Sequence, residues 1–335
     1  VGLAKLNLPC RIYAPVGSHE DLLAYLVRRL LENGANTSFV NRLADDDAPI
    51  ADIIADPVVE VAALAQIPHP RIPHPRGLFE GRAGSAGVPL WEDATRARIV
   101  AGIRQELRQP VEAAALVAGA MPRNGPSAAI HAPHDHRINV GAVFEADEAA
   151  VKEAMASAAR AQHGWDLLGG AARAAILEKA AGNYEDNAAR LLALLVQEAG
   201  KTLDNAYADL REAVDFLRYY AAQARAEFSG AMRLPGPTGE SNEVTLHGRG
   251  VFACIAPWNF PLAIFTGQIA AALAAGNAVI AKPAEQTPLV AFEAVKLLHR
   301  AGIPPHILHF LPGDGARIGK TLLAHPALSG VAFTG

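Results

Sequence analysis

Cysteine is nearly absent from this sequence, which contains only Cys10 and Cys254 among 335 residues. Two cysteines cannot build the disulfide framework of a secreted scaffold, and they fit a reducing cytoplasm. Charged residues are also scarce, at 19%, with 30 basic against 34 acidic side chains. That balance does not by itself indicate a basic coat for nucleic acid. We expect DNA binding only if a separate N-terminal module exists. Apolar residues make up 51%, which excludes wholesale disorder and predicts a large buried core.

Both ends of the sequence lack the features of a natural terminus. Val1 to Pro9 contains neither an initiator methionine nor the basic-then-apolar pattern of a secretory signal. Val331 to Gly335 is an apolar, strand-like run with no closing turn. We therefore expect an internal segment of a longer cytoplasmic protein.

The longest uncharged run lies between Arg249 and Lys282 and is long enough to span a bilayer. Six residues that disfavour a membrane helix interrupt it: Pro257, Asn259, Pro261, Gln268, Gly276 and Asn277. A buried strand followed by a buried helix explains the run better than a transmembrane segment.

The N-terminal part combines a short strand, a helix and a proline-rich linker. Residues 11–16 are predicted as a buried strand, and the helix that follows ends near Asn33-Gly34. A perfect tandem of Ile-Pro-His-Pro-Arg occupies Ile67 to Arg76 and favours extended chain. His69 and His74 have no further ligands beside them, so we interpret them as solvated linker histidines.

The remaining sequence is first helical and then alternates between strands and helices. The clearest helices are predicted over Glu148–Trp165, Ala171–Gln197 and Thr202–Phe228. The alternating part is predicted as strand Val251–Ala256, helix Ala263–Ala275, strand Ala278–Ala281, helix Leu289–Ala301, strand Ile307–Leu311, helix Ala316–Ala324 and strand Gly330–Phe333. This order predicts an α/β fold with a doubly wound parallel sheet, which binds ligands beyond the carboxyl ends of its strands.

One face of the predicted N-terminal helix carries a polar cluster. Tyr25, Arg28, Arg29 and Glu32 stand at i, i+3, i+4 and i+7, so they share that face. Two guanidinium groups beside a phenol can hold a carboxylate through paired hydrogen bonds. On spacing alone, a solvated polar helix face is the favoured interpretation.

The sequence around this cluster resembles part of a known barrel. Three segments resemble the last strand and helix of the distorted (β/α)₈ barrel of proline dehydrogenase, especially in the bacterial bifunctional proline utilization A family. They are Cys10 to Gly17, Leu23 to Asn36 and Ser38 to Asn41. That barrel holds FAD, and the resemblance places Glu32 and Phe39 near the flavin. Only the last of the eight barrel units has a counterpart here.

The same resemblance implies a substrate site on the helix face. Arg28 and Arg29 would pair with the carboxylate of proline, while Tyr13 and Tyr25 would pack around its ring. Barrel enzymes keep their sites at the carboxyl ends of the strands, which agrees with this placement.

A second constellation follows two neighbouring strands of the predicted sheet, as Pro257-Trp-Asn-Phe-Pro261 and Lys282-Pro-Ala-Glu285. Asn259 offers the neutral amide donor that an oxyanion hole uses. Lys282 can meet a ribose or phosphate, and Glu285 can accept hydrogen bonds from ribose hydroxyls. Taken alone, an asparagine in a turn is also explained by its structural role there.

Together these motifs resemble the aldehyde dehydrogenase superfamily from about Asn139–Val143 to Gly335, including Glu198-Ala-Gly-Lys-Thr202. The resemblance makes Asn259 catalytic and assigns NAD binding to Pro257, Trp258, Lys282, Glu285, Gly315, Phe333, Thr334 and Gly335. Gly313, Gly315 and Gly319 do not have the G-x-G-x-x-G spacing of a dinucleotide loop, so they form a weak fingerprint.

The superfamily's chemistry also needs a cysteine nucleophile and a glutamate base, which lie downstream of the Phe-Thr-Gly motif. Cys254 lies within a predicted buried strand, so we expect an inert thiol there. The resemblance thus implies the cofactor half of the site without its nucleophile, and we expect this segment alone to be inactive.

The resemblance implies proline catabolism, in which FAD-dependent oxidation of L-proline precedes NAD-dependent oxidation of L-glutamate γ-semialdehyde to L-glutamate. The predicted domains are the barrel end at 1–57, a linker and strap at 58–135, and part of the aldehyde dehydrogenase domain at 136–335. Two alternatives remain: an aldehyde dehydrogenase with an unrelated N-terminal extension, and an inactive scaffold.

The resemblance also implies partners beyond the two substrates. We expect a homodimer, paired through the aldehyde dehydrogenase domain. We also expect peripheral association with the inner face of the cell membrane, where the flavin step would pass electrons to a quinone.

Overall fold

The computed structural model describes residues 22, 47, 49–67, 70–107 and 110–335. The chain divides into two units, Val1–Ile72 and Pro73–Gly335. The predicted N-terminal strand and most of the helix after it lie outside the described residues. The same holds for Cys10, Tyr13, Tyr25, Arg28, Arg29, Glu32, Phe39 and His69, whose roles stay predictions.

In the first unit, the structure describes two short helices, α1 (Ile50–Ile53) and α2 (Pro57–Ala62). Asp56 begins α2, because its carboxylate accepts a hydrogen bond from the backbone N–H of Val58 at 2.9 Å. Pro57 suits the first turn of this helix, where no backbone donor is needed.

The second unit contains eight described α-helices. They are α3 (Asp93–Glu106), α4 (Glu148–Leu167), α5 (Gly170–Asp186), α6 (Ala188–Gln197), α7 (Leu203–Glu227), α8 (Ala263–Ala274), α9 (Pro288–Ala301) and α10 (Gly315–Leu323). The helix predicted over Thr202–Phe228 corresponds to α7, and Thr202 is its N-cap residue, with a hydroxyl that accepts from the backbone N–H of Asn205. The single helix predicted over Ala171–Gln197 is wrong, because α5 and α6 are separated at Asn187. The Asn187 side chain donates back to the carbonyl of Asn183 at 2.8 Å, which competes with the helical pattern.

The predicted parallel sheet is confirmed. It contains β6 (Val251–Ile255), β7 (Ala278–Lys282), β8 (Leu308–Phe310) and β9 (Leu328–Phe333), in the order β8-β7-β6-β9. All three neighbouring pairs run parallel. The strand order reverses between β6 and β9, and the crevice at such a switch point is where open α/β sheets bind their ligands.

The long uncharged run forms β6, α8 and β7, with most of its side chains buried in the core. Burial on both faces explains why these strands have almost no polar alternation. In the described part of the chain, no helix is both long and apolar enough to cross a membrane.

The structure also contains strands that the sequence analysis does not predict. A second sheet is formed by β1 (Val111–Ala114), β2 (Ser127–Ala132) and β3 (Asp135–Phe144), in the order β1-β3-β2. A small hairpin follows α7, with strands β4 (Met232–Leu234) and β5 (Asn242–Val244). The predicted domain limit between residues 135 and 136 falls at the start of β3.

Candidate functional site

The carboxyl ends of β6, β7 and β9 lie side by side and surround a cleft. Ile255, the last residue of β6, pairs with Lys282 on one side and Phe333 on the other. The segments that follow the three strands therefore begin at the same level of the sheet. We call the resulting space of about 740 Å³ the strand-end cleft.

The strand-end cleft brings together all of the residues that the sequence assigned to the dehydrogenase site. They are Pro257, Trp258, Asn259, Lys282, Glu285, Gly315, Phe333, Thr334 and Gly335. The motifs are distant in sequence, so this proximity is a property of the fold. The chemical role of each residue stays a prediction.

Lys282 and Glu285 form an ion pair with one buried and one accessible partner. The Lys282 side chain is 4% exposed, and its Nζ donates to Glu285 Oε1 and to the Pro283 carbonyl, both at 3.0 Å. The Glu285 side chain is 44% exposed. Partial burial acts to raise the pKa of Glu285, but hydrogen bonds from its own backbone N–H and from Lys282 hold it below its ordinary value. Glu285 therefore presents an ionised acceptor to the cleft.

Gly315 lies against this ion pair at the first position of α10. A Cβ atom there would lie 3.1 Å from Glu285 Oε1 and 3.7 Å from Lys282 Cε. Glycine therefore allows the helix to approach the pair closely without displacing the carboxylate.

Away from the Lys282–Glu285 ion pair, the cleft wall is lined by apolar side chains that are open to solvent. Trp258 is 57% exposed and Phe333 is 65% exposed, and Val331 and Leu323 are exposed beside them. Sequence reasoning missed Leu323, although it follows Gly315 by eight residues and Gly319 by four. That spacing places the three on one face of α10, so helical periodicity could have found it.

The Phe333-Thr334-Gly335 segment is tied to its neighbours by two hydrogen bonds. The Thr334 backbone N–H donates to the carbonyl of Ile255 at 3.1 Å. Its Oγ1 accepts from Gln268 Nε2, also at 3.1 Å. These bonds fix the segment next to the turn that contains Asn259, itself exposed to solvent.

Cys254 lies inside β6 and is fully buried, as the sequence predicts. Burial raises the pKa of its thiol to about 12. A thiol in that environment is almost entirely protonated at neutral pH, and the thiolate is the reactive form. Cys254 is therefore unsuited to be a nucleophile.

We expect Cys254 to resist iodoacetamide at pH 8 in the folded chain and to react readily in denaturant. Mass spectrometry of the labelled peptide measures both. In the enzyme that contains this chain, the Cys254→Ala variant should keep the wild-type rate of aldehyde oxidation, because the thiol reaches neither solvent nor the cleft. Rapid labelling of the folded chain, or an inactive alanine variant that is still folded, would contradict this prediction.

Two protein-family models match the chain. The aldehyde dehydrogenase family model matches residues 121–335, and the proline dehydrogenase model matches residues 1–42. The first match contains the whole strand-end cleft. The second contains the predicted polar helix face.

Individual relatives are similar over longer stretches. The bifunctional protein PutA of Klebsiella aerogenes is 48% identical over 338 residues, which cover 99% of this chain and 25% of the relative. The crystal structure of a proline utilization A mutant from Bradyrhizobium japonicum has a TM-score of 0.66 at 46% identity, covering 98% of this chain and 30% of that one. A 1-pyrroline-5-carboxylate dehydrogenase from Thermus, solved with bound NAD, has a TM-score of 0.72 at 31% identity, covering 76% and 49%. This chain spans about a quarter of the length of the first of these relatives.

Proposed function

This chain belongs to the aldehyde dehydrogenase family, and from that premise we propose that its strand-end cleft binds NAD⁺ for the oxidation of L-glutamate γ-semialdehyde to L-glutamate. The observation that carries the proposal is the meeting of two turns and the Phe333-Thr334-Gly335 segment at the carboxyl edge of one parallel sheet. That edge presents an amide, an ionised carboxylate and an apolar wall within one cleft.

The residues of the cleft fit a nicotinamide dinucleotide. Its volume of about 740 Å³ lies within the usual range for small-molecule sites. Glu285 can accept hydrogen bonds from ribose hydroxyls, while Lys282 holds that carboxylate in place and adds positive charge nearby. The exposed apolar side chains, Trp258 among them, can contact a planar base. When bound, NAD⁺ supplies the acceptor for the hydride that leaves the substrate.

Asn259 would contribute the amide donor for the substrate oxygen. A neutral amide stabilises developing negative charge without exchanging a proton of its own. Cys254 is buried and does not supply the thiolate that thiohemiacetal chemistry needs. The proposed contribution of this chain is therefore cofactor binding and oxyanion stabilisation.

We propose that the whole protein is a bifunctional enzyme of proline catabolism. Its first step would oxidise L-proline with FAD, and its second would oxidise the hydrolysed product with NAD⁺. The proline dehydrogenase match at residues 1–42 supports this proposal and argues against an N-terminal extension unrelated to proline oxidation. Tyr13, Tyr25, Arg28 and Arg29 would bind proline in the first site.

The same proposal extends to the location, the oligomeric state and the membrane association of the enzyme. The enzyme would act in the cytoplasm as a homodimer and associate peripherally with the membrane, where the flavin electrons pass to a quinone. The semialdehyde would pass between the two sites internally. Analytical ultracentrifugation and sedimentation with vesicles that contain quinone would test the dimer and the membrane association.

The direct test of the cleft is titration of the 335-residue chain with NAD⁺ and NADP⁺, followed by the fluorescence of its three tryptophans, of which Trp258 lines the cleft. We expect binding that favours NAD⁺ by about tenfold or more, because Glu285 would meet a 2′-phosphate with like charge. Glu285→Gln should weaken NAD⁺ binding and reduce the preference, since it removes the charge while keeping the shape.

Glu293→Gln is the matched control for this titration. Glu293 pairs with Lys296 at 3.0 Å and with the same i,i+3 spacing as the cleft pair, but it does not line the cleft. It should leave both affinities unchanged. Absence of NAD⁺ binding would overturn the proposed cofactor site and favour the scaffold alternative, and equal affinities would show that Glu285 does not meet the ribose.

A further inference from the structure

The Glu198–Thr202 loop connects α6 to α7 and does not line the strand-end cleft. Two of its side chains nevertheless reach the elements that follow the cleft turns. Glu198 accepts hydrogen bonds from the helix that follows the β7 turn. Lys201 lies beside Asp209, which accepts a hydrogen bond from the helix that follows the β6 turn. The two sets of contacts involve different residues.

Glu198 caps helix α9. Its residue is 4% exposed, and its two carboxylate oxygens accept from the backbone N–H groups of Leu289 and Val290 at 2.6 and 2.8 Å. Thr287, at the N-cap position, makes no side-chain capping bond. Glu198 therefore satisfies donors at the start of α9 that a local residue would ordinarily satisfy.

This contact fixes the turn that carries Glu285. The turn begins at Lys282, the last residue of β7, and ends at Pro288, the first residue of α9. The sheet holds its first end, and Glu198 holds the helix at its second end. A short segment anchored at both ends has little freedom to move Glu285 away from the cleft.

Asp209 holds the other helix in the same way. It is 1% exposed, and its Oδ1 accepts from the backbone N–H of Ala263 at 2.7 Å, at the first position of α8. The N-cap residue Leu262 has no side-chain oxygen to make this bond. Lys201 Nζ lies 3.2 Å from Asp209 Oδ2, so the buried carboxylate has a cation beside it.

Lys201 also contacts the turn that carries Asn259. Its Nζ lies 4.6 Å from the centre of the Phe260 ring, within the range of a cation–π interaction. The turn from Pro257 to Leu262 is therefore held by Lys201 at Phe260 and by Asp209 at the helix that follows it.

Gly200 lets the loop reach both sites. It has φ of +66°, a conformation that favours glycine, and a Cβ atom there would lie 2.8 Å from Pro133 Cγ. The tight turn at Gly200 separates Glu198 and Lys201, so that each side chain approaches a different helix.

We propose that the Glu198–Thr202 loop is a positioning element that holds the two cofactor-binding turns in register, with Glu198 setting the Glu285 turn and the Lys201–Asp209 pair setting the Asn259 turn. This inference rests on the proposed function of the cleft. It predicts that residues outside the cleft control NAD⁺ binding, and that the two arms act on separate turns.

Hydrogen exchange of the full 335-residue chain tests the separation of the arms. In Glu198→Ala, the amides of Leu289 and Val290 should exchange about tenfold faster or more, because their acceptor is gone. Ala263 should stay slow. Asp209→Ala should give the reverse pattern. The conservative variants Glu198→Gln and Asp209→Asn retain a carbonyl oxygen, so they should restore much of the protection and keep the test valid if an alanine variant does not fold.

NAD⁺ titration of the same variants tests the positioning role. Glu198→Ala and Asp209→Ala should each weaken NAD⁺ binding by about tenfold, and the conservative variants should recover most of it. Arg218→Met is the matched control. It breaks a partly buried ion pair with Glu185, of 2.6 Å, that does not line the cleft, so it should lower Tm and leave the NAD⁺ affinity unchanged.

The outcomes separate the two proposals. If the wild-type chain does not bind NAD⁺, the proposed function fails. If the wild type binds and the alanine variants change exchange while their NAD⁺ affinity matches that of Arg218→Met, the positioning role is overturned. Exchange that rises equally at Ala263 and at Leu289 in both variants would also overturn it, because the arms would then act only through global stability.

Discussion

Replacing Arg28 or Arg29 by methionine should raise the KM for proline by about 10- to 100-fold in the enzyme that contains this chain. Each variant removes a charge-assisted hydrogen bond to the substrate carboxylate, which contributes about 1.5–3 kcal/mol. The KM and kcat for the semialdehyde should not change, because that reaction is proposed to occur in the strand-end cleft. Steady-state kinetics of the two half-reactions, measured separately, would check both statements.

Arg42→Met is the control for these variants. Arg42 belongs to the same proline dehydrogenase match but not to the set of residues that share the Tyr25–Glu32 face. It should leave the proline KM unchanged. If neither Arg28→Met nor Arg29→Met changes that KM, the two arginines form a solvated polar face and the proposed substrate role is wrong.

The parallel sheet could be predicted from the sequence because three of its strands, β6, β7 and β8, are largely buried on both faces. Short apolar runs such as Val251–Ile255, separated by helical periods, leave few alternatives to a doubly wound sheet. The boundaries of β6, β7, α8 and α9 agree with the predicted ones to within a residue. Local chemistry determines these boundaries, since prolines, glycines and capping residues punctuate the segments.

The β1-β2-β3 sheet could not be predicted in the same way. Its strands include Ser127–Ala132, which is half alanine, a residue depleted in strands and common in helices. β1 pairs directly with β3 in the sheet, although β2 lies between them in the sequence. Its partner is therefore about thirty residues away along the chain. Pairing of that kind depends on tertiary structure and leaves a weak local signal.

The candidate site, like the fold, could be predicted from the sequence only where local patterns mark it. Asn259, Lys282 and Glu285 could be placed together because each follows a predicted strand, and the carboxyl ends of parallel strands share one edge. The Glu198 contacts to Leu289 and Val290 join residues about ninety positions apart, and the Asp209 contact to Ala263 spans 54. A capping carboxylate that is remote in sequence has no local pattern, so only the structure reveals it.

In the enzyme that contains this chain, replacing Asn259 by alanine should lower kcat for semialdehyde oxidation by about 10²–10³-fold. This is the usual effect of losing one oxyanion-hole donor. The affinity for NAD⁺ should change little, because Glu285 and the apolar wall remain. Asn259→Asp should be at least as slow, since it replaces the donor with a negative charge. Asn205→Ala, which alters an exposed asparagine on α7, is the control and should keep the wild-type kcat.

The division between kcat and cofactor affinity is what makes the Asn259 result informative. Asn259→Ala should lower kcat alone, and Glu198→Ala should act mainly on NAD⁺ affinity through the Glu285 turn. Asp209→Ala should affect both kcat and NAD⁺ affinity, because it releases the turn that carries Asn259. That turn also forms one side of the cleft. An Asn259→Ala enzyme with unchanged kcat would mean that another donor stabilises the oxyanion, and the exposed amide of Asn259 would then have only a structural role in its turn.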